Sequence, residues 1–310
     1  MTSLHSSAST RPSLRLAFLQ TAFAATALGA LSACGGGGGG TPSPPPPTST
    51  VATASIAAPR YGAQAIVTIS GTNLDSSGLS VSSSTCLGMT RLTSGQTTSS
   101  ATLAYYGCTI AGALSGTVAI ASNGTVLSSP TYTVPAPIVR LAVTNGQGVN
   151  GNIDINLFGT TAPLTVVNFL SYVNSTFYDG LIFHRYSPNF VFQGGGYGPS
   201  QNGILPAPKA TNPPIAYEAG GGKNLQWTVA MARQTGLNTA TSQFFINLLD
   251  NANLDNPGSP YAVFGSLPAS SQAVVQTMMA ATCNPDLNDL PPSDCLPTPN
   301  IVITSATQIQ

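Results

Sequence analysis

Charge is scarce in this 310-residue chain: charged residues make up 6% of it, nine basic and nine acidic. Lysine is confined to Lys209 and Lys223, and histidine to His5 and His184. Without a basic patch to neutralise phosphates, a nucleic-acid partner is ruled against. No Gly-Lys-Ser/Thr stands in the sequence, so a Walker-type nucleotide loop is excluded. Two histidines give no support to a Cys/His zinc site. In place of charge there are 32 glycines, 25 prolines and abundant Ser and Thr, a composition that favours strands and turns over long helices. The length is a soft prior for two domains.

Residues 1–34 read as an export leader. Arg11 and Arg15 form its positive region, an apolar stretch runs from Leu16 to about Leu31, and "LSAC" ends it at Cys34. Gln20, Thr21 and Thr26 interrupt that stretch, which is shorter than the ~20 apolar residues a membrane-spanning helix needs. "LSAC" resembles the lipobox of bacterial lipoproteins, whose cysteine is lipidated and becomes the new N-terminus. Gly35 stands where Asp is absent, which in that family's sorting habit implies the outer membrane. The resemblance thus implies an exported chain on the periplasmic side of a Gram-negative bacterium, anchored by lipid at Cys34. Loss of the leader leaves seven basic against nine acidic residues. "GGGGGGTPSPPPPTST", residues 35–50, reads as a flexible tether ending in a stiff spacer.

Export permits disulfides. With Cys34 set aside for lipid, the other four cysteines fall into two local pairs, so Cys86–Cys108 and Cys283–Cys295 are the expected bridges; free buried thiols are the alternative. Residues 51–135 hold short strand patterns separated by turns. Asn123-Gly124 between apolar runs signals a hairpin. Strands alone and one bridge point to a small immunoglobulin-like β-sandwich, a spacer or adhesion module with no visible site chemistry.

"PAP" at 135–137 marks a boundary, and a second domain is expected over 138–310. It opens with a hairpin around a Gly/Asn-rich turn. A helix follows over 161–175, with Thr161 as N-cap, Pro163 just inside, and Val166, Phe169, Leu170 and Val173 on one face. Strands are expected at 182–185, 190–193, 227–232, 243–247, 262–265 and 300–305, with a second helix over 269–282. Many antiparallel strands and two helices point to a closed barrel, which leaves no sheet edge open. The fold expected is mainly β: a closed antiparallel β-barrel capped by two helices, preceded by the small sandwich.

One stretch stands out: "FHRYSPNFVFQGGG", residues 183–196, sets Arg185 among aromatics in a strand. A guanidinium in an apolar wall needs a task or a partner. With "TVAMAR", "TSQFFIN", "NANLDN" and "YAVFG", in this order and at these separations, the stretch resembles the cyclophilins, β-barrel peptidyl-prolyl isomerases, most closely their bacterial periplasmic branch. The resemblance covers about 138–309. It implies isomerisation of X–Pro bonds in proline-containing polypeptides, assisting the folding of exported proteins, by a monomer with no cofactor and no metal. By resemblance, Arg185, Gln193 and Phe245 are catalytic, and Phe190, Val191, Phe245 and Leu254 form the proline pocket. Cyclophilins often have methionine where Val191 stands. Gln193 and the backbone near Arg233 would hold the peptide, and Gln243 would brace Arg185. Asn253 and Tyr261 sit at the rim, where members that bind cyclosporin tightly carry tryptophan and other members a histidine, so weak binding of that drug is expected.

The residue types suit the chemistry. Rotation about X–Pro breaks amide resonance, a barrier of ~18–20 kcal/mol, and needs no nucleophile or metal. A twisted amide regains a lone pair on nitrogen, which a fixed, always-charged donor can hold. Plainer readings exist for each residue. Arg185 is an ion-pair arginine with Glu218 or Asp179, Phe190, Phe245 and Leu254 are core, and the Gly194–Gly196 run is a tight turn. His184, one residue along the strand from Arg185, points away from it and is structural. The alternative function is an envelope-anchored proline-peptide binding scaffold with little turnover.

Overall fold

Residues of period two dominate the chain, and in the computed structural model they build short strands with, among the described residues, two α-helices. The structure describes residues 47–58, 60–284 and 294–310. The leader, Cys34 and the tether up to residue 46 lie outside the described residues, as does the interior of the loop between Cys283 and Cys295. Among the described residues no helix is long and apolar enough to cross a membrane.

The first nine strands are β1 Thr50–Ala57, β2 Gln64–Thr72, β3 Leu79–Ser82, β4 Cys86–Arg91, β5 Leu103–Ile110, β6 Ser115–Thr117, β7 Ala119–Ser122, β8 Thr125–Ser128 and β9 Thr131–Thr133. They form a four-stranded sheet β1-β2-β5-β4, a three-stranded sheet β3-β7-β8 and the pair β6-β9. Val67, Ile69, Ala104 and Tyr106 of the first sheet pack against Val118, which precedes β7, and Ile120 in β7. Asn123 and Gly124, both at positive φ (50° and 83°), turn β7 into β8 as the Asn-Gly pair requires. The Cys86–Cys108 disulfide is present. It joins the neighbouring strands β4 and β5 of one sheet, whereas the immunoglobulin hallmark bridges two sheets.

The spacer ends earlier than its composition implies, because hydrogen bonds hold its last residues. The Ser49 N–H donates to Ser122 Oγ (3.0 Å), and the Ser49 and Ser76 hydroxyls donate to the carbonyls of Asn73 (2.8 Å) and Pro47 (2.9 Å).

The remaining elements are β10 Ile138–Thr144, β11 Asn150–Leu157, α1 Pro163–Asn174, β12 Ile182–Ser187, β13 Val191–Gly194, β14 Thr228–Met231, β15 Phe244–Asn247, β16 Val263–Ser266, α2 Ala269–Met279, β17 Cys283–Asn284, β18 Leu296–Pro297 and β19 Ile301–Gln308. Eight of them close into an antiparallel barrel in the order β10-β11-β16-β14-β15-β13-β12-β19. Its interior is aromatic: Phe183, Phe192 and Phe244 meet edge to face, and Phe169 of α1 plugs against Phe244 and Phe264 at 5.5 and 5.0 Å. Thr161 is not the cap of α1. Ala162 holds that position, and the Glu218 carboxylate accepts from the N–H groups of Leu164 (3.1 Å) and Thr165 (2.9 Å) instead. A carboxylate there satisfies two orphan donors and complements the helix dipole.

The N-terminal strands and the barrel are not separated by an open joint. Tyr61, fully buried, belongs to the same core as Leu157, Ala162 and Leu170. Its hydroxyl donates to the carbonyl of Gly159 and accepts from Gly112 N–H (2.9 Å), while Gln308 Nε2 donates to its carbonyl (3.0 Å). Gly159 must be glycine here, since a Cβ would lie 2.8 Å from the Tyr61 ring. Because this contact ties the two parts together, thermal unfolding should show one transition. Tyr61→Phe strands the Gly159 and Gly112 partners and should cost ~1–3 kcal/mol, and Tyr61→Ala ~3–5 kcal/mol. Calorimetry checks this; two separate wild-type transitions would contradict the shared core.

Candidate active site

Strand pairing assembles the site. In antiparallel ladders, residues opposite one another share a face. Arg185 lies opposite Gln193, Gln193 opposite Phe245, Phe245 opposite Ala230, and Ala230 opposite Val263. One row therefore crosses β12, β13, β15, β14 and β16 on the outer face of the barrel. Their strand neighbours Phe192, Phe244, Ile246 and Val229 face the interior core. Alternation thus separates barrel packing from site chemistry residue by residue.

On that outer face Val191, Ala230, Phe245, Leu254 and Val263 form their own apolar cluster, with Phe190 and Tyr261 packed against it. They surround a cavity of about 110 Å³ whose lining also includes Arg185, Gln193, Ala232 and Arg233. Val191, Phe245 and Leu254 are buried and Phe190 half-buried. Tyr261 meets Phe245 edge to face at 5.6 Å. A second recess of about 530 Å³ shares Gln193, Ala232 and Arg233 and extends the groove past Gln243. Another hollow, of about 600 Å³, lies at the β10–β11 turn; its Gly, Asn, Thr, Ala and Val lining carries no ionisable group.

Arg185 stands at the cavity wall, its side chain 23% exposed. Its Nη1 donates to Gln193 Oε1 at 3.0 Å, and Gln193 Nε2 donates to Gln243 Oε1 at 2.9 Å. Gln243 therefore braces Gln193, and through it Arg185. Gly196 makes room for this brace, since a Cβ there would fall 2.6 Å from the Gln243 amide carbon. The Arg185 guanidinium lies 6.0 Å from the Phe190 ring.

Arg185 is also an ion-pair arginine, but with neither partner expected. Glu218 caps α1, and Asp179 accepts from the Ala306 N–H. The partner is Asp294, whose Oδ2 accepts from Arg185 Nε at 2.5 Å and whose side chain is 1% exposed. Sequence reasoning missed Asp294; the available signal was its place beside Cys295, where a bridge fixes the backbone.

Arg233 reaches the cavity edge, but its guanidinium serves the rim. It donates to the carbonyl of Pro260 (3.1 Å) and the hydroxyl of Ser259 (2.5 Å) and stacks 4.4 Å above Tyr261. Asn253 is exposed on the turn Ala252–Asp255, outside the cavity lining. His184 sits at a break in the β12–β13 register, buried to 4% exposure, against Tyr197 at 4.7 Å.

The fold is that of a cyclophilin. The sequence model described as "Cyclophilin type peptidyl-prolyl cis-trans isomerase/CLD" matches residues 139–308, and the chain belongs to that family. Among curated relatives, peptidyl-prolyl cis-trans isomerase A of Dickeya dadantii is 42% identical over 163 residues, 52% of this chain and 80% of its own length. Peptidyl-prolyl cis-trans isomerase B of Escherichia coli is 38% identical over 154 residues, 47% of this chain and 91% of its own length. A solved cyclophilin-type isomerase of Cryptosporidium parvum aligns at 21% identity and a TM-score of 0.44, over 56% of this chain and 98% of its own.

Burial, and then the neighbouring Arg185 charge, push the His184 pKa from 6.5 down to about 4. Its Nδ1 has no hydrogen-bond partner. The unfolded chain takes up a proton on this imidazole near pH 6.5, and the folded chain only near pH 4. The neutral ring therefore favours folding fully above 6.5, and this contribution is lost as pH falls, by up to ~3 kcal/mol at the lower pKa. An NMR titration should find the His184 ring neutral down to about pH 5. A ring that protonates near 6.5 in the folded protein would contradict the burial argument.

Proposed function

We propose that the barrel catalyses cis–trans rotation about X–Pro bonds, with Arg185 as the donor to the twisting prolyl nitrogen. The observation that carries this is a single guanidinium held at the wall of an apolar cavity. Phe190, Val191, Phe245 and Leu254 offer the proline ring an apolar seat of about 110 Å³. The polypeptide on either side lies along the adjoining recess, where Gln193 and the strand end near Arg233 offer polar groups. The planar fork of Arg185 has Nε committed to Asp294 and Nη1 to Gln193 and stands in the cavity wall, where its other N–H groups would serve as donors.

Catalysis requires tighter binding of the twisted amide than of either planar isomer. Shortening ~100 s to ~10 ms is four decades, or about 5–6 kcal/mol of differential stabilisation. One charge-assisted bond in a desolvated wall, with the proline already seated, is of that order. A scaffold with little turnover would use the same pocket, but it would not need a donor fixed at two points.

We further infer that the chain is exported, lipidated at Cys34, and assists the folding of exported proteins as a monomer. Support comes from the leader and "LSAC", and from the two disulfides, whose Cα atoms lie 5.3 and 5.5 Å apart. The N-terminal strands, residues 51–135, serve in this reading as an immunoglobulin-like spacer between tether and barrel. Intact-mass analysis of the mature protein should find it beginning at a lipidated Cys34 with four oxidised cysteines. A mature N-terminus upstream of Cys34 would overturn the anchor.

In a protease-coupled or NMR-exchange assay on a short X–Pro peptide, Arg185→Ala should lose at least about one order of magnitude in kcat/KM with the fold intact. Arg185→Lys should recover little, since an ammonium lacks the planar fork. Wild-type turnover in folded Arg185→Ala would sink the mechanism.

A further inference from the structure

We infer that Asp294 is a positioning residue of the isomerase site, and that the Cys283–Cys295 disulfide fastens it there. The inference rests on the catalytic reading of Arg185.

The carboxylate is almost wholly buried and touches the guanidinium at Nε, the nitrogen nearest the chain. Gln193 takes Nη1. Two acceptors on one rigid plane fix both the position and the rotation of the fork, which a single contact leaves free. Gln193 alone would let the plane swing about one hydrogen bond. A donor displaced by an ångström from a twisting amide loses much of its effect.

Asp294 in turn is anchored from outside the barrel strands. Cys295 makes a two-bond antiparallel bridge with Tyr186, the residue after Arg185: each N–H donates to the other's carbonyl, at 2.8 and 2.9 Å. The same cysteine is bonded to Cys283, four residues beyond the end of α2, where β17 pairs with β18. Backbone pairing beside Arg185 and a covalent tie to β17 therefore hold the carboxylate from two directions. A buried carboxylate is costly unless paired, so Asp294 is stable in this position only with the pair formed.

The test measures kcat and KM separately for Asp294→Ala and Asp294→Asn, and repeats Asp294→Ala in the Arg185→Ala background. Asp294→Ala should lower kcat about tenfold with KM little changed, because the proline seat is untouched. Asp294→Asn keeps an oxygen facing Nε and should recover most of that loss. In the Arg185→Ala background Asp294→Ala should change nothing further, since its only route to the reaction is removed. The Arg185 Nε–H resonance, visible without turnover, should shift in Asp294→Ala and persist in Asp294→Asn. Replacing both Cys283 and Cys295 by Ser should give a partial loss of kcat in the same direction. Unchanged kcat in folded Asp294→Ala overturns the inference, and so does an equal loss with and without Arg185. If Asp294→Ala does not fold, a Asp294→Asn protein with kcat as low as Arg185→Ala overturns it as well. Failure of the catalytic reading itself is separate: it shows as full activity in Arg185→Ala.

Discussion

A guanidinium set into an apolar wall is the constraint around which this site is organised. Left unpaired, a partly desolvated charge costs several kcal/mol. Asp294 and Gln193 prevent that by taking Nε and Nη1, and Gln243 fixes Gln193. Each step has its own condition in the backbone. Gly196 leaves space for Gln243, the bulge at His184 sets the aim of β12, and the disulfide loop delivers Asp294. The result is a guanidinium whose charge is balanced on the protein side at the wall of the cavity. In the proposed reaction, preorganisation of this kind puts the cost of ordering into folding, so little remains at the moment the amide twists.

Barrel closure makes that arrangement possible with so few charges. Closure removes sheet edges, and the interior is filled by aromatic rings that meet edge to face. Hydrophobic packing then holds the frame, and polar groups are left for specific tasks. Glu218 caps α1, Asp179 holds the Ala306 N–H, and Asp255 holds Asn224. The N-terminal strands extend the frame, because Tyr61 enters the barrel's own core against Gly159 and Leu170. An orientation fixed in this way makes those strands a stiff extension of the enzyme.

Much of this was legible in the sequence where the physics is local. The strands at 182–185, 190–193 and 243–247 were legible from residue type and alternation, and Val191 and Phe245 from the resemblance; the structure then set Phe192 and Phe244 in the core and Val191 and Phe245 at the cavity. Asn123-Gly124 identified a hairpin because few residues adopt positive φ cheaply. The four cysteines paired as their spacing implied. The misreadings share one cause. Thr161 satisfied every local rule for an N-cap, yet Glu218, over fifty residues away, takes the amides. The tether's last residues read by composition as a spacer outside the fold, and they are held by Asn73 and Ser122.

The sequence by itself determined the strand and helix types, the residues that line the cavity and the family to which the barrel belongs. The elements depend on periodicity and turn chemistry, and the cavity residues and the family on motifs whose order and spacing resemble the cyclophilins; all of these are written along the chain. Only the tertiary structure decided which carboxylate holds Arg185, which amide braces which, and how the N-terminal strands join the barrel. An ion pair needs two groups within a few ångströms, and Arg185 and Asp294 are 109 positions apart. Glu218 and Asp179 were equally good candidates in composition and nearer in sequence. Nothing local distinguishes the three, because the choice is made by a long-range backbone bridge at Tyr186 together with the disulfide to Cys283 in β17.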